Sequence, residues 1–266
     1  MLRFGFALIP LLALLMSCTT NDLGLEPQVS PSRYGDADPQ YFGERHPATH
    51  EIHGIDVSKW QGDIDWRRLR RADIAFAYIK STEGGDHRDE RFLEYWHNAN
   101  RAGIPRGAYH FYYFCRPAGE QAEWFIANTP ADPSALPPVL DIEWNHHSPS
   151  CKKRPPPHTV RSEMRIFLER VEAHYGKRPL IYTTVDFHRE NLEGHFSDYQ
   201  FWVRSVADHP DAVYRRRTWH FWQYTGTGRL PGIDGDVDIN VYAGDQEQWT
   251  TWLTGATGQQ NPQFER

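Results

Sequence analysis

The chain has 266 residues, of which 39% are hydrophobic and 14% are aromatic. Even without its non-globular ends, a chain of this length can form one large domain with a substantial core. Its 35 acidic residues outnumber its 29 basic residues, and its basic runs, such as residues 67–71 and 215–217, are short. Nucleic acid is therefore not an expected partner.

The first 18 residues have the pattern of an export signal. Arg3 supplies a positive charge, residues 4–16 are apolar but too few to span a bilayer, and small Ser17 precedes Cys18. The stretch LLMSC resembles the lipobox of bacterial lipoproteins. We therefore expect a signal peptide over residues 1–18 and a lipid on Cys18. An ordinary cleaved signal is the alternative, and both interpretations export the protein.

The chain contains three cysteines. If Cys18 is lipidated, Cys115 and Cys151 remain, and export to an oxidising compartment favours a disulfide between them. In the chain-entropy model, a loop of that size contributes ~4 kcal/mol to stability. Two separate buried thiols are the alternative.

Both ends of the exported chain lack the apolar periodicity of a folded domain. Residues 19–50 are rich in Pro, Ser, Gly and Asp, which predicts a disordered tether. Such a tether would average ~30 Å in length and reach at most ~110 Å when stretched. Residues 256–266 are predicted to be a loose polar tail, so the folded domain is expected over residues 51–255.

From residue 51 onward, short apolar runs alternate with helix-like segments. The strand-like runs are EIHGIDVS, IAFAYIKS, GAYHFYYF, PVLDIEW and PLIYTT, and the helix-like segments are residues 65–71, 89–102, 119–128 and 158–175. This alternation predicts an α/β fold in which a mostly parallel sheet closes into a single barrel. After Thr184 the helical signal weakens, and QFWVRS, TWHFWQY and VDINVY follow as strand-like runs. The last helices of the barrel are therefore expected to be replaced by β segments.

Four carboxylates lie at the ends of predicted strands, where the loops of such a barrel form its functional cleft. They are Asp56, Asp141, Glu143 and Asp238. Residues two apart on a strand project from the same face, so Asp141 and Glu143 are expected about 6.7 Å apart along the chain. Two carboxylates that close raise each other's proton affinity, so one can stay protonated while the other is charged, as acid-catalysed glycoside cleavage requires. A D-x-E pair also arises by chance, and a solvated strand end is the alternative interpretation.

Five stretches of the sequence, taken together, are more specific than the Asp141–Glu143 pair alone. HGIDVSKWQGDIDW, FAYIKSTEG, GIPRGAYHFYYF, PPVLDIEW and FWQYTGTGRLPGIDGDVDIN occur in this order over residues 53–242. Together they closely resemble glycoside hydrolase family 25, the muramidases or lysozymes that cut peptidoglycan. The resemblance implies a flattened, irregular, TIM-like β/α barrel.

Carried over position by position, the resemblance assigns the catalytic acid to Glu143 and its partner to Asp141. It places two further acids at Asp56 and Asp238, for which strand-end capping is the alternative role. The side chains that it implies for the substrate groove are Lys80, Glu83, Tyr109, His110, Tyr182, Trp202, Gln223 and Tyr224. The sequence departs from the family pattern at FWVRSV, around Arg204, and in the long insert NHHSPSCKKRPPP.

The resemblance implies hydrolysis of the β-1,4 bond between N-acetylmuramic acid and N-acetylglucosamine, with glycan strands as the partner and with no metal or organic cofactor. Because Asp141 and Glu143 approach the sugar from one side, we expect the substrate's own acetamido group to attack while Glu143 donates the proton. We expect a monomer in the bacterial envelope that contacts the membrane only through its lipid. Thr19 after Cys18 favours the periplasmic face of the outer membrane in a Gram-negative host.

Three alternatives remain open from the sequence alone. A metal-dependent wall-polymer deacetylase would use His110, His146, His147, Asp141 and Glu143, although no H-x-x-x-H spacing is present. A lipid-tethered wall-binding protein would keep the groove without turnover. A glycosidase with the same D-x-E chemistry would act on a chitin-like polymer.

Overall fold

The computed structural model describes Met1 and residues 33–257. The predicted signal peptide beyond Met1, the lipidation site at Cys18 and the first part of the predicted tether lie outside the described residues. Within residues 33–257, no helix combines the length and the apolar character needed to cross a bilayer.

Strands and helices alternate through the described part of the chain. The strands are β1 (Gly35–Asp36), β2 (His53–Val57), β3 (Ile74–Glu83), β4 (His87–Arg88), β5 (Arg106–Phe111), β6 (Val139–Asp141), β7 (Leu180–Thr184), β8 (Phe201–Arg204), β9 (Phe221–Arg229) and β10 (Val237–Tyr242). The α-helices are α1 (Trp66–Arg71), α2 (Phe92–Arg101), α3 (Ala118–Asn128), α4 (Pro157–Tyr175), α5 (Val185–Asn191), α6 (Pro210–Val213) and α7 (Gln246–Thr257). The four predicted helices are therefore present as α1 to α4.

Eight of the strands close into a barrel in the order β2, β3, β5, β6, β7, β8, β9 and β10. All neighbours from β2 round to β9 are parallel, whereas β10 is antiparallel to both β9 and β2. Only the short α6 separates β8 from β9, and no helix separates β9 from β10. The predicted α/β barrel with β segments in place of its last helices is confirmed.

The two faces of the barrel wall bury different side chains because successive residues of a strand point to opposite sides. The interior cluster contains Tyr78, Val139 and Trp202. Their neighbours in sequence, such as Leu140, pack outward among the helices. Trp249 of α7 joins the interior cluster, so α7 covers the end of the barrel at which the parallel strands begin. The opposite end, where these strands finish, is left for a cleft.

The segment before β2 is folded, which corrects the prediction of a disordered tether up to residue 50. Strand β1 pairs antiparallel with β9, and the buried Tyr34 donates a hydrogen bond from its hydroxyl to the Ala72 carbonyl (3.0 Å). The ring of Phe42 packs edge-on against Trp222, with 5.1 Å between the ring centroids. Tyr34 and Phe42 thus attach this segment to the outside of the barrel. Two isolated aromatic residues produce no apolar periodicity, so the sequence pattern did not reveal the contact.

The boundary predicted at residue 255 is also slightly wrong. Helix α7 continues to Thr257, whose side chain is buried and donates a hydrogen bond to the Leu253 carbonyl (2.8 Å). Most of the predicted polar tail, residues 258–266, lies outside the described residues.

Candidate active site

A cleft of about 770 Å³ opens at the end of the barrel where the parallel strands finish, and all four predicted acids line it. Asp56 lies on β2, directly opposite Asp238 on antiparallel β10. Asp141 is the last residue of β6, and Glu143 follows two residues later. The barrel therefore brings together carboxyl groups that are up to 182 positions apart in the sequence.

The strand that carries the acid pair ends earlier than predicted, at Asp141 rather than Trp144. The chain nevertheless stays alongside β7, because the Ile142 amide donates a hydrogen bond to the Tyr182 carbonyl (3.0 Å). Ile142 is fully buried among the helices, so Asp141 and Glu143 both project into the cleft. The predicted same-face arrangement of the two acids is present.

Burial raises the pKa of Glu143 to about 7, although the Arg204 guanidinium opposes the shift. Burial and the neighbouring Glu143 charge raise the pKa of Asp141 well above its usual range. The Oδ1 atom of Asp141 is buried and has no hydrogen-bond partner among residues 33–257. An unsatisfied buried oxygen is costly unless a ligand supplies a donor, so this atom is suited to accept an N–H group from a substrate.

Asp56 is fixed by a hydrogen-bond network inside the barrel. Its Oδ2 atom accepts from Asn240 Nδ2 (2.8 Å) and from Gln223 Nε2 (3.1 Å). The amide oxygens of those residues accept from Trp202 Nε1 and from the Tyr182 hydroxyl, each at 2.7 Å. Because the Trp202 indole can only donate, the oxygen of Asn240 must face it and the nitrogen must face Asp56; the Gln223 amide has the same orientation. Burial raises the pKa of Asp56 to about 6, against the effect of the two amide donors.

Asp238 and Arg204 add further charges to the cleft wall. Burial and the charge of Asp56 raise the pKa of Asp238 well above its usual range. Arg204 lies at the end of β8 and lines the cleft. Its backbone carbonyl accepts a hydrogen bond from the Tyr214 hydroxyl (2.7 Å), which fixes this strand end. The departure from the family pattern at FWVRSV therefore places a cation in the cleft wall, close to three acids.

Five of the predicted groove residues line the cleft: Lys80, Tyr109, Tyr182, Trp202 and Gln223. His110 and Tyr224 do not, and their prediction as substrate contacts is wrong. The ring nitrogens of His110 contact Thr82 Oγ1 (2.8 Å) and Gln121 Oε1 (3.1 Å), and the Tyr224 hydroxyl contacts His53 Nδ1 (3.4 Å). Each follows a cleft residue directly in sequence, and consecutive strand residues face opposite sides of the wall.

Glu83 also lies outside the cleft lining. The Lys80 ammonium binds its Oε2 atom (2.5 Å), and the pairing of β3 with β5 shifts register between Lys80 and Thr82. In a regular strand, residues three positions apart face opposite sides, but this bulge places Glu83 on the same face as Lys80. Glu83 thus contacts the cleft-lining Lys80 in place of the predicted substrate contact.

The histidines considered for a metal site lie on different sides of the barrel wall. His146 and His147 line the cleft, whereas His110 stacks on Phe167 among the helices, with 5.0 Å between the ring centroids. Within residues 33–257, no group of three or more His, Cys, Asp or Glu side chains has an arrangement that could hold a metal ion.

Further residues line the cleft that were not predicted as muramidase site residues from the sequence; among them, His146 and His147 were considered only as metal ligands. The further residues are Ser58, Trp60, Phe111, Trp144, His146, His147, Thr184, Val185, Asp186, Arg189, Arg204, Ser205, Val206, Ala207, Asp208 and Val213. Ser58, Phe111 and Thr184 stand two positions after Asp56, Tyr109 and Tyr182, so strand alternation alone would have identified them. The residues of α5 carry no comparable signal.

The predicted disulfide is present. Cys115 and Cys151 are bonded, with 5.7 Å between their Cα atoms. Cys115 lies shortly after β5, and Cys151 lies within the insert that follows β6. The bond therefore attaches the insert, which carries His146 and His147, to the neighbouring strand at the cleft.

Several known proteins resemble this chain in sequence and in fold. Residues 55–233 match the model of a family described as "Glycosyl hydrolases family 25". The chain is 35% identical over 233 residues to YegX from Escherichia coli K12, covering 84% of this chain and 80% of the relative. It is 38% identical over 211 residues to Lysozyme M1 from Streptomyces globisporus, covering 74% of this chain and 69% of that protein. A solved family 25 glycosyl hydrolase from Bacillus anthracis superimposes with a TM-score of 0.72 and 36% identity, covering 81% of this chain and 97% of the other.

Proposed function

The chain belongs to glycosyl hydrolase family 25 and is a glycoside hydrolase, and we propose that it cleaves the β-1,4 bond between N-acetylmuramic acid and N-acetylglucosamine in peptidoglycan. The observation that carries this proposal is the pair formed by Glu143 and Asp141 in the cleft. One carboxyl has its pKa raised to about 7, and the other keeps a buried oxygen without a partner. The similarity to Lysozyme M1 supports the choice of substrate.

In the proposed mechanism, protonated Glu143 donates its proton to the glycosidic oxygen as the bond to the anomeric carbon breaks. The carbonyl oxygen of the 2-acetamido group attacks the same carbon from the opposite face and forms a cyclic oxazolinium ion. Asp141 Oδ1 accepts the acetamido N–H, orients the group and stabilises its developing positive charge. Glu143, now a carboxylate, then removes a proton from the water that opens the ring, so the anomeric configuration is retained.

The charges of the cleft suit this division of roles. Burial raises the pKa of both Asp141 and Glu143, and the charge of Glu143 adds to the shift at Asp141, so the empty cleft favours at least one proton on the pair. A hydrogen bond from the substrate N–H to Asp141 lowers the pKa of Asp141 and leaves the proton on Glu143. Asp56, whose charge raises the pKa of the neighbouring Asp238, adds negative charge on the other side of the cleft, facing the cationic transition state.

Cleavage of purified peptidoglycan is the direct test of the proposed function. We expect new reducing ends, and mass spectrometry should find N-acetylmuramic acid at them. Faster cleavage of chitin than of peptidoglycan would assign the enzyme to the chitin-like alternative. Binding to the wall without any new reducing ends would favour the non-catalytic alternative.

The rate should fall as the pH rises through neutrality. Burial raises the pKa of Glu143 to about 7, and only the protonated form can donate to the leaving oxygen. We therefore expect kcat/KM, which reports the free enzyme, to decline above an apparent pKa near 7. A profile that stays flat up to pH 9 would contradict the assignment of Glu143 as the acid.

The position of the enzyme in the cell is a further proposal, since Cys18 lies outside the described residues. We propose a lipid on Cys18 that anchors the domain to a membrane of the bacterial envelope, with the outer membrane facing the periplasm as the site in a Gram-negative host. Replacing Cys18 with Ala should move the protein from the membrane fraction to the soluble fraction of the envelope. A Cys18→Ala protein that still sediments with membranes would rule out this anchor.

A further inference from the structure

One rim of the cleft carries a concentration of positive charge, although the whole chain has a net charge of −6. We call it the basic rim and define it as Lys152, Lys153, Arg154 and Arg189. All four side chains are exposed, and Arg189 itself lines the cleft. Among residues 33–257, none of the four forms an ion pair with a carboxylate. The mechanism proposed above uses none of them.

The basic rim is attached to the catalytic strand by specific contacts. The Cys115–Cys151 disulfide fixes the chain directly before Lys152. The Arg154 guanidinium lies over the Trp144 ring at 4.8 Å and contacts His146 Nδ1 at 3.0 Å. Trp144 directly follows Glu143, so Arg154 is held at the mouth of the active-site cleft, and Lys152 and Lys153 directly precede it in the chain.

Two acids, Asp186 and Glu190, contact the same residues as Arg154 and have hydrogen-bond partners of their own. Asp186 contacts His146 Nε2 (3.2 Å) and the Thr184 hydroxyl (2.7 Å), and Glu190 accepts a hydrogen bond from the Trp144 indole (2.8 Å). The 19-residue helix α4 begins at Pro157, the last residue of the insert, with no acidic residue in its first turn. The positive end of its dipole therefore adds to the potential of the rim.

We propose that the basic rim binds the carboxylates of the peptide stems of peptidoglycan while the cleft binds the glycan strand. This inference rests on the proposed function. Each stem leaves its muramic acid through the lactyl group and must pass out of the cleft over one of its rims. An uncross-linked stem carries more carboxylates than ammonium groups, which matches the sign of the rim, and guanidinium groups bind carboxylates with two parallel hydrogen bonds.

The expected contribution of such contacts is moderate and depends on salt. One exposed ion pair changes an equilibrium by a factor of about 1.4 to 5, so two or three together predict an effect of roughly tenfold. The Debye length falls from ~10 Å at 0.1 M salt to ~3 Å at 1 M, so the effect should largely disappear at high ionic strength.

The test compares two soluble substrates that differ only in stem charge: uncross-linked peptidoglycan strands, and the same strands with their stem carboxyl groups amidated by a carbodiimide and methylamine. The enzyme variant is Lys152→Glu/Lys153→Glu, which leaves Arg154 and its contacts intact. The matched control is Arg67→Glu/Arg68→Glu, which makes the same charge change at two exposed positions of α1 outside the cleft. Thermal melting of each variant verifies its folding.

At low salt we expect the unmodified enzyme to show a kcat/KM roughly tenfold higher on native than on amidated strands. The Lys152→Glu/Lys153→Glu variant should lose this preference and cleave amidated strands as fast as the unmodified enzyme does, whereas the α1 control should keep it. Equal cleavage of both substrates by the unmodified enzyme would overturn the inference and leave the proposed function standing. The inference is also overturned if the variant loses the same factor in kcat/KM on both substrates. It is overturned as well if the variant keeps its preference for native strands but no longer binds phosphatidylglycerol vesicles, since the rim would then bind lipid headgroups. If neither substrate is cleaved, both proposals fall.

Discussion

Replacing Glu143 with Gln should lower kcat by about a thousandfold or more, because general acid catalysis contributes ~10²–10⁴ and leaving-group departure from a sugar depends heavily on it. Gln keeps the shape of the side chain but has no acidic proton to give to the glycosidic oxygen. Binding of glycan strands should persist, since the substituted group still fills its position in the cleft. The measurement is kcat from reducing-end release, together with binding of the inactive variant to peptidoglycan.

The control for this substitution is Glu193→Gln, which makes the same chemical change at an exposed position after α5 and should leave kcat unchanged. Folding is verified by the melting temperature at pH 8. Burial raises the pKa of Glu143 from 4.5 to about 7, so ionising this carboxyl above pH 4.5 destabilises the native state. Glu143→Gln removes that cost and should melt no lower than the unmodified enzyme. A loss of kcat below tenfold would exclude Glu143 as the acid.

The barrel and its four acids could be predicted because both follow from strand periodicity. Alternating apolar runs located the parallel strands, and acids at their ends located Asp56, Asp141, Glu143 and Asp238. The same rule, applied strictly, would have removed His110 and Tyr224 from the groove, since each directly follows a cleft residue. The resemblance to a family supplied these two residues without regard to the face of the strand.

Other parts of the site depend on contacts between distant segments, which no local pattern records. His146 reaches Asp186 on α5 across 40 positions of the sequence. Tyr34 and Phe42 attach the preceding segment to the barrel through single aromatic contacts. Lys80 and Glu83 share a face only because a bulge interrupts β3. Such features arise from side-chain fit, which becomes known only when the neighbouring elements have been placed.

The role of Asp141 is the second prediction with a large expected effect. Asp141→Asn should lower kcat by about a hundredfold, less than Glu143→Gln, because the amide oxygen can still accept the acetamido N–H but no longer opposes the positive charge of the oxazolinium ion. Asp141→Ala should lower kcat more than Asp141→Asn does, since it also removes the oxygen that accepts the acetamido N–H. The same two variants, measured on strands whose N-acetyl groups have been removed, provide the control. On that substrate, kcat is already low because the acetamido group is missing, and Asp141→Asn should lower it little further.

The stereochemistry of the product decides between this mechanism and direct attack by water. Two inversions at the anomeric carbon, first by the acetamido oxygen and then by water, give net retention. Asp141 cannot replace the acetamido group as the nucleophile, because it projects into the cleft from the same strand end as Glu143 and approaches the sugar from the side of the leaving group. We therefore expect NMR of the first-formed product to show the β anomer. An α anomer would exclude acetamido participation, and Asp56 or Asp238, across the cleft from Glu143, would then be the base that activates water.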